Sequence, residues 1–264
     1  MDLALKDKVG IVTGAGWGMG KAIAEGLAEE GARVVVADID EARGIAATKQ
    51  IVDSGGEATF VRADVSRWSE VQQVVSAALE RFEHIDILVN NAGAWVMESF
   101  AKMQRESWDI QINVNYYGTL NFTKAVLDHM ISRKTGCIIS IGSDAARIGE
   151  PTQTIYSGTK AAILAFTRSL AKEVGRYGIR VNAVCPSLTR VERRVEMEES
   201  MRREDPAKFE AYQEQMKKAL RLYPLGKFGA PQDVANMVVF LASDLRAGHI
   251  TGQTISVNGG YCMV

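Results

Sequence analysis

The chain has 264 residues, 47% of them apolar, and 31 basic against 32 acidic side chains give a formal charge of −1. That length suits one α/β enzyme domain with a sizeable core, and near-neutrality argues against a nucleic-acid partner, which selects strongly basic faces. No apolar run approaches the ~18 residues of a membrane span, and residues 1–6 lack the basic-then-apolar layout of a signal peptide.

Residues 8–12 are expected to form a short buried strand running into Thr13-Gly14-Ala15-Gly16-Trp17-Gly18-Met19-Gly20, and residues 21–30 a helix. Strand, glycine turn and helix are the context of a dinucleotide site. Glycines let the backbone approach a pyrophosphate, and the helix N-terminus offers unpaired N–H groups and positive dipole charge. The spacing Gly14-x-x-x-Gly18-x-Gly20 differs from the commoner Gly-x-Gly-x-x-Gly, so a connection that binds nothing is the plain alternative. A second strand, residues 33–38, ends on Asp38, placed to accept hydrogen bonds from the adenosine ribose and to repel a 2′-phosphate. Ile39 follows it, Trp17 precedes Gly18, and Arg43 lies further along on a helix, where it reads as solvated. NAD is therefore the expected cofactor.

Alternation continues. Strands are expected at 57–61 (ended by Asp64-Val65), 85–90, 137–141, 179–184 and 254–257, with helices at 71–82, about 105–132, 154–174 and 232–243. Near-continuously apolar strands between helices indicate a parallel sheet covered on both faces, whose ligands bind outside the carboxyl ends of the strands. No linker or repeat interrupts residues 1–264, which read as one domain. Tyr156 and Lys160 stand four apart near the start of a helix, hence on one face. A phenol ordinarily titrates at about 10; an adjacent ammonium favours the phenolate, making the pair a candidate general acid/base. A solvated helix face is the alternative. Cys137, Cys185 and Cys262 are far apart, His84, His129 and His249 are scattered, and no metal-ligand spacing occurs. The thiols read as reduced and the protein as cytoplasmic.

Together these residues resemble the short-chain dehydrogenase/reductases in their classical branch, over nearly the whole chain from Thr13 to Asn258-Gly259-Gly260. The resemblance implies a Rossmann-type doubly wound parallel sheet of seven strands with helices on both faces, a nicotinamide dinucleotide, and commonly a homotetramer, with a dimer as the alternative. Asn90-Asn91-Ala92-Gly93 matches the family's strand-four signature. Asp64-Val65 matches the pair set against the adenine, Asn115 the helix asparagine, and Ser143 the catalytic serine thirteen residues before Tyr156. By resemblance, Tyr156 exchanges a proton with the substrate oxygen, Lys160 lowers its pKa and holds the nicotinamide ribose, and Ser143 orients the reacting oxygen. Asn115 holds a water that links Lys160 to solvent. The cofactor contacts so implied run from Gly14, Trp17, Gly18, Met19 and Gly20 through Asp38, Asp64 and Val65 to Asn91, Ala92, Gly93 and Pro186.

Two positions depart from the family pattern. Ser187 stands where a glycine is usual, adding a hydroxyl on the substrate side, and Val191 stands where a threonine holds the carboxamide; Thr189 is the candidate replacement. Trp95, Val96, Met97 and Ile148 are implied to line an apolar pocket with Ser143, Tyr156 and Ser187, while Arg147 reads as surface. Residues of about 190–222 read as a charged, mobile lid. In it Arg190, Arg193 and Arg194 are expected to be solvated, the alternative being contact with a carboxylate or with coenzyme A phosphates. The expected function is NAD-dependent interconversion of a small cyclic or aromatic secondary alcohol and its ketone. The alternatives are a 3-oxoacyl-thioester reductase (on acyl carrier protein or coenzyme A) and a non-catalytic dinucleotide-binding protein.

Overall fold

A computed structural model describes residues 2–264. Seven strands, β1 (Val9–Thr13), β2 (Arg33–Asp38), β3 (Glu57–Arg62), β4 (Ile87–Asn90), β5 (Gly136–Ile141), β6 (Ile179–Pro186) and β7 (Thr254–Val257), form one parallel sheet in the order β3-β2-β1-β4-β5-β6-β7. The pleat sends alternate residues to opposite faces. Val34 and Val36 therefore join one apolar layer with Val12, Val89 and Ile139, and Val35 and Ala37 join the other with Ile11, Leu88 and Ile138. Each such Val, Leu or Ile contributes about 1.5–3 kcal/mol by leaving water.

Helices α1 (Gly18–Glu29) and α10 (Pro231–Ala242) cover the first layer; α3 (Trp68–Phe82), α5 (Gly118–Arg133) and α7 (Thr154–Val174) cover the second. Where α1 meets α10, a Cβ on Gly26 would lie 3.1 Å from Val239 Cγ2, so the absence of a side chain there sets how closely the helices approach. The strand order reverses between β1 and β4, and the crevice beyond their carboxyl ends is where such sheets take ligands. The glycine turn after Thr13 and the Asn90-Asn91 corner both end there.

Two elements differ from expectation. The helix expected at 105–132 divides into α4 (Arg105–Gln111), a π-helical turn (Ile112–Tyr117) and α5. The wide turn disrupts the regular carbonyl ladder, and the Asn115 carbonyl instead accepts the Thr119 hydroxyl at 2.8 Å. The fourth strand begins at Ile87 rather than residue 85, with the buried Asp86 just outside it. Its carboxylate accepts the Val9 N–H at 2.9 Å and faces Arg133 Nη1 at 3.0 Å, a side-chain bond standing where strand pairing would continue. Among the described residues no helix is long and apolar enough to cross a membrane.

Candidate active site

The candidate cofactor cradle is built by Thr13, Gly14 and Asn91. The Thr13 hydroxyl accepts the Asn91 and Ala92 N–H groups, each at 3.0 Å, and the Asn91 amide donates to the carbonyls of Thr13 (2.9 Å) and Gly14 (3.0 Å). These bonds lock the turn after β1 to the end of β4. Gly14 has φ +61°, and a Cβ on it would lie 2.9 Å from Ala92 Cα. A side chain would collide with the β4 corner, so only glycine lets the turn lie low enough for a dinucleotide to approach its backbone. The turn fits such a ligand on a second count: its Gly18 N–H already binds an anionic oxygen, Glu192 Oε2 at 3.0 Å. Thr13 had no role in the sequence reading; its place directly before the first glycine was the available signal.

Asp38 is buried, and its two oxygens accept the N–H groups of Gly16 (2.8 Å) and Asp40 (2.9 Å), which fixes the carboxylate under the turn. Arg43 is exposed, as expected, and lays its guanidinium over Trp17, 5.5 Å from the ring centroid, beside Asp40 at 3.5 Å. Gly20 packs at the base of the turn, Met19 leans on the core layer under α1, and Gly93 is open to solvent. Asp64 and Val65 lie just past β3. Asp64 accepts from Ser66 through both its N–H (2.9 Å) and hydroxyl (2.7 Å), while the Val65 side chain is buried beside Gly118.

The candidate proton-handling groups converge at the next corner. Ser143 follows β5; Tyr156 and Lys160 project from the first two turns of α7. Lys160 is buried and donates to the Ile141 carbonyl at 2.7 Å, with its nitrogen 5.7 Å from the Tyr156 ring centroid. Asn115 holds the loop after β4 rather than contacting Lys160 directly. Its amide oxygen accepts the Ala94 N–H at 2.7 Å, and its nitrogen donates to Ala94 O (2.9 Å) and Thr159 Oγ1 (3.0 Å). The π-helical turn is what aims it there.

Electrostatics depart from the sequence argument. Burial pushes the Tyr156 phenol up to about 12, and its hydrogen bond with Ser143 offsets only part of this. Lys160 is pushed down to about 8, again by burial. Desolvation of the charged form thus sets the direction, and the opposing pull comes from Ser143 rather than from the expected neighbour, Lys160. At neutral pH the phenol is an acid, suited to donate a proton to a developing alkoxide. Cys185, buried beneath Gly142, is likewise raised, to about 12, and is an inert thiol.

Behind Ser143 lies a further group the sequence reading missed, Asp144, almost fully buried. It accepts from Ser256 Oγ at 2.8 Å and from Asn258 Nδ2, while its N–H donates to Pro186 O at 3.2 Å. Arg147, expected at the surface, is half-buried, donating to Ser256 Oγ at 2.7 Å and to the Val264 carbonyl. Adjacency to Ser143 was the only sequence signal for either. The Ser187 hydroxyl donates to Asn258 O at 3.4 Å, and that of Thr189 to Ser187 O at 3.1 Å. Both hydroxyls therefore brace the loop after β6.

Trp95 and Met97 are exposed on the loop after β4, and that loop is tied to the α7 approach by Glu98 N–H to Thr152 O at 3.1 Å; Val96 is half-buried and Ile148 is exposed on α6 (Ala145–Ile148). The segment expected to form a lid folds as α8 (Glu192–Glu204) and α9 (Pro206–Leu220), neither with a buried residue. Arg193 is exposed, but Arg190 and Arg194 are not free. Arg190 pairs with Glu198, Tyr212 donates to Glu198 at 3.2 Å, and Arg194 donates to the Tyr212 oxygen at 2.8 Å. This network lines a cavity of about 240 Å³ between the lid helices and Leu188.

Residues 14–262 match a family model described as enoyl-(acyl carrier protein) reductase. A 3-oxoacyl-[acyl-carrier-protein] reductase of Synechocystis is 38% identical over 261 residues, covering 98% of this chain and 99% of the relative. A (2S)-[(R)-hydroxy(phenyl)methyl]succinyl-CoA dehydrogenase subunit of Thauera aromatica is 38% identical over 258 residues, 98% of each chain. The crystal structure of gox2181 superposes with a TM-score of 0.88 at 33% identity, covering 98% of this chain and 97% of that one. With the seven-stranded sheet and the Ser143, Tyr156 and Lys160 corner, these matches place the chain in the short-chain dehydrogenase/reductase family, oxidoreductases that use a nicotinamide dinucleotide on alcohol or carbonyl groups.

Proposed function

We propose that the protein reduces the 3-oxo group of an acyl thioester to the 3-hydroxy group, with NADH as the hydride source. The observation that carries this reading is the corner where Ser143, Tyr156 and the buried Lys160 converge, whose phenol stands protonated at neutral pH. That phenol is a proton donor for a carbonyl oxygen at neutral pH, and the cofactor supplies the hydride. Ser143 orients that oxygen, and Lys160 holds a positive charge behind the phenol. The thioester rests on the Synechocystis and Thauera relatives, whose names each carry one. This replaces the simple cyclic or aromatic alcohol as the leading substrate. That reading keeps one observation in its favour, the exposed apolar Trp95, Met97 and Ile148 on the loops flanking Tyr156. We read the chain as one domain working as a cytoplasmic homotetramer, a compartment with which its three free, buried cysteines accord.

The test is a panel of ketones assayed by loss of nicotinamide absorbance. Acetoacetyl-coenzyme A should be turned over with a kcat/KM at least about tenfold above cyclohexanone or acetophenone, a difference of about 1.4 kcal/mol in transition-state binding. Equal or better turnover of the free ketones would return the simple alcohol to the lead.

NADH rather than NADPH follows from Asp38, whose fixed carboxylate repels a 2′-phosphate. The double change Asp38→Asn with Ile39→Arg should move the ratio of kcat/KM for NADH over NADPH toward NADPH by about 10-fold or more, since each charge contact is worth about 1 kcal/mol or more. An unaltered protein that already prefers NADPH would refute the assignment.

A further inference from the structure

Helix α1 has no cap of its own: Trp17 occupies the cap position without a side-chain bond, and no acidic residue lies in the first turn. An uncapped N-terminus leaves N–H groups unsatisfied at the positive end of the helix dipole. In this protein the lid fills that vacancy. Glu192, the first residue of α8, places Oε2 3.0 Å from the Gly18 nitrogen, although 174 residues separate the two. Among the described residues no lysine or arginine forms an ion pair with Glu192. The carboxylate is therefore held by the end of α1. The preceding residue follows it in, since a Cβ on Gly18 would lie 3.3 Å from Val191 Cγ1.

We propose that Glu192 gates the cofactor, its carboxylate occupying the anion-binding end of α1 that a dinucleotide phosphate requires, so that the lid must release the turn before the cofactor seats. Two anionic groups cannot share one N–H without strong repulsion, and the carboxylate is the one carried on a helix with no buried residue. Lifting the first turn of α8 therefore exposes little apolar surface. Glu192 itself borders a pocket of about 200 Å³ that it shares with Lys21, Arg43, Arg193 and Glu196, so room for the displaced carboxylate lies directly beside the contact. Cofactor affinity is thereby set by the lid as well as by the turn, and lid opening is linked to cofactor arrival.

The test compares binding of NADH, ADP and adenosine to the whole protein by calorimetry. Glu192→Gln keeps the side-chain shape and removes the charge; Glu199→Gln, exposed on the same helix, is the control. Glu192→Gln should tighten NADH and ADP about fivefold, the scale of one charge at a helix N-terminus, and leave adenosine, which lacks phosphate, unchanged. Glu199→Gln should alter none of the three. Glu192→Ala should reproduce the gain if the charge is what competes. Unchanged or weaker binding of ADP and NADH to Glu192→Gln would overturn the proposal, as would an equal gain for adenosine. The thioester reading is untouched by either result, because these titrations contain no carbonyl substrate.

Discussion

Tyr156→Phe is expected to lower turnover about 10²–10⁴-fold, the usual worth of a positioned general acid, while the protein stays folded and still binds the dinucleotide. Only the hydroxyl is lost, so the ring keeps its place on the first turn of α7. Neither His84 nor His129 can substitute: both lie with Ile85 and Asp86, at the sheet edge opposite the glycine turn. The pH profile should carry the signature of the pair. The phenol, raised to about 12, stays protonated through the neutral range, so reduction needs no ionisation of Tyr156. Lys160, lowered to about 8, is charged below that pH and neutral above it. Reductive turnover should therefore hold steady below about 8 and fall as pH rises through that value, whereas alcohol oxidation should rise with pH as the phenolate becomes accessible. Lys160→Met should remove the step near 8. A folded Tyr156→Phe protein that keeps most of its activity would sink this mechanism.

Gly20→Ala should cost about 3 kcal/mol of stability or more, at the upper end of overpacking penalties, and abolish measurable dinucleotide binding. The added Cβ would stand 2.0 Å from the Gly14 carbonyl oxygen and 2.4 Å from Asn91 Nδ2. Neither can yield cheaply, because Asn91 holds the turn through its bonds to Thr13 and Gly14. Gly158→Ala is the contrast. A Cβ there meets nothing within 4 Å, and replacing a glycine inside a helix should stabilise by about 0.5–1 kcal/mol. Thermal unfolding of the two variants measures both effects. A Gly20→Ala protein with unchanged melting temperature and cofactor affinity would mean that the turn is far softer than its bonding indicates.

The lid cavity bears on the substrate without deciding it. Arg190 and Arg194 are committed to Glu198 and Tyr212, so an anionic substrate group would have to compete with an internal carboxylate for them. Their pairing holds α8 against α9, since Arg194 and Glu198 on α8 both meet Tyr212 on α9. It also gives the gate at Glu192 a neighbour of defined shape, since α8 and α9 are tied together through these residues.

Sequence by itself determined what is local or periodic. Runs of Val and Ile separated by helices specify a sheet buried on both faces, glycines between a strand and a helix specify the turn, and the four-residue spacing of Tyr156 and Lys160 puts them on one face. Tertiary structure alone decided what depends on distant groups meeting. The π-helical turn that aims Asn115 at Ala94 interrupts a sequence that reads as one continuous helix. Asp144 is silent in the sequence because its partners, Ser256 and Asn258, lie more than a hundred residues away. Arg147 looked solvated because charge is the only thing the sequence shows of it; Ser256 is what it found in the fold. The direction of the Tyr156 shift was misjudged for the same reason. Spacing reveals the attraction of a nearby ammonium, but the cost of burying a charge depends on every atom that displaces water, and only the packed corner between β5 and α7 sets that cost.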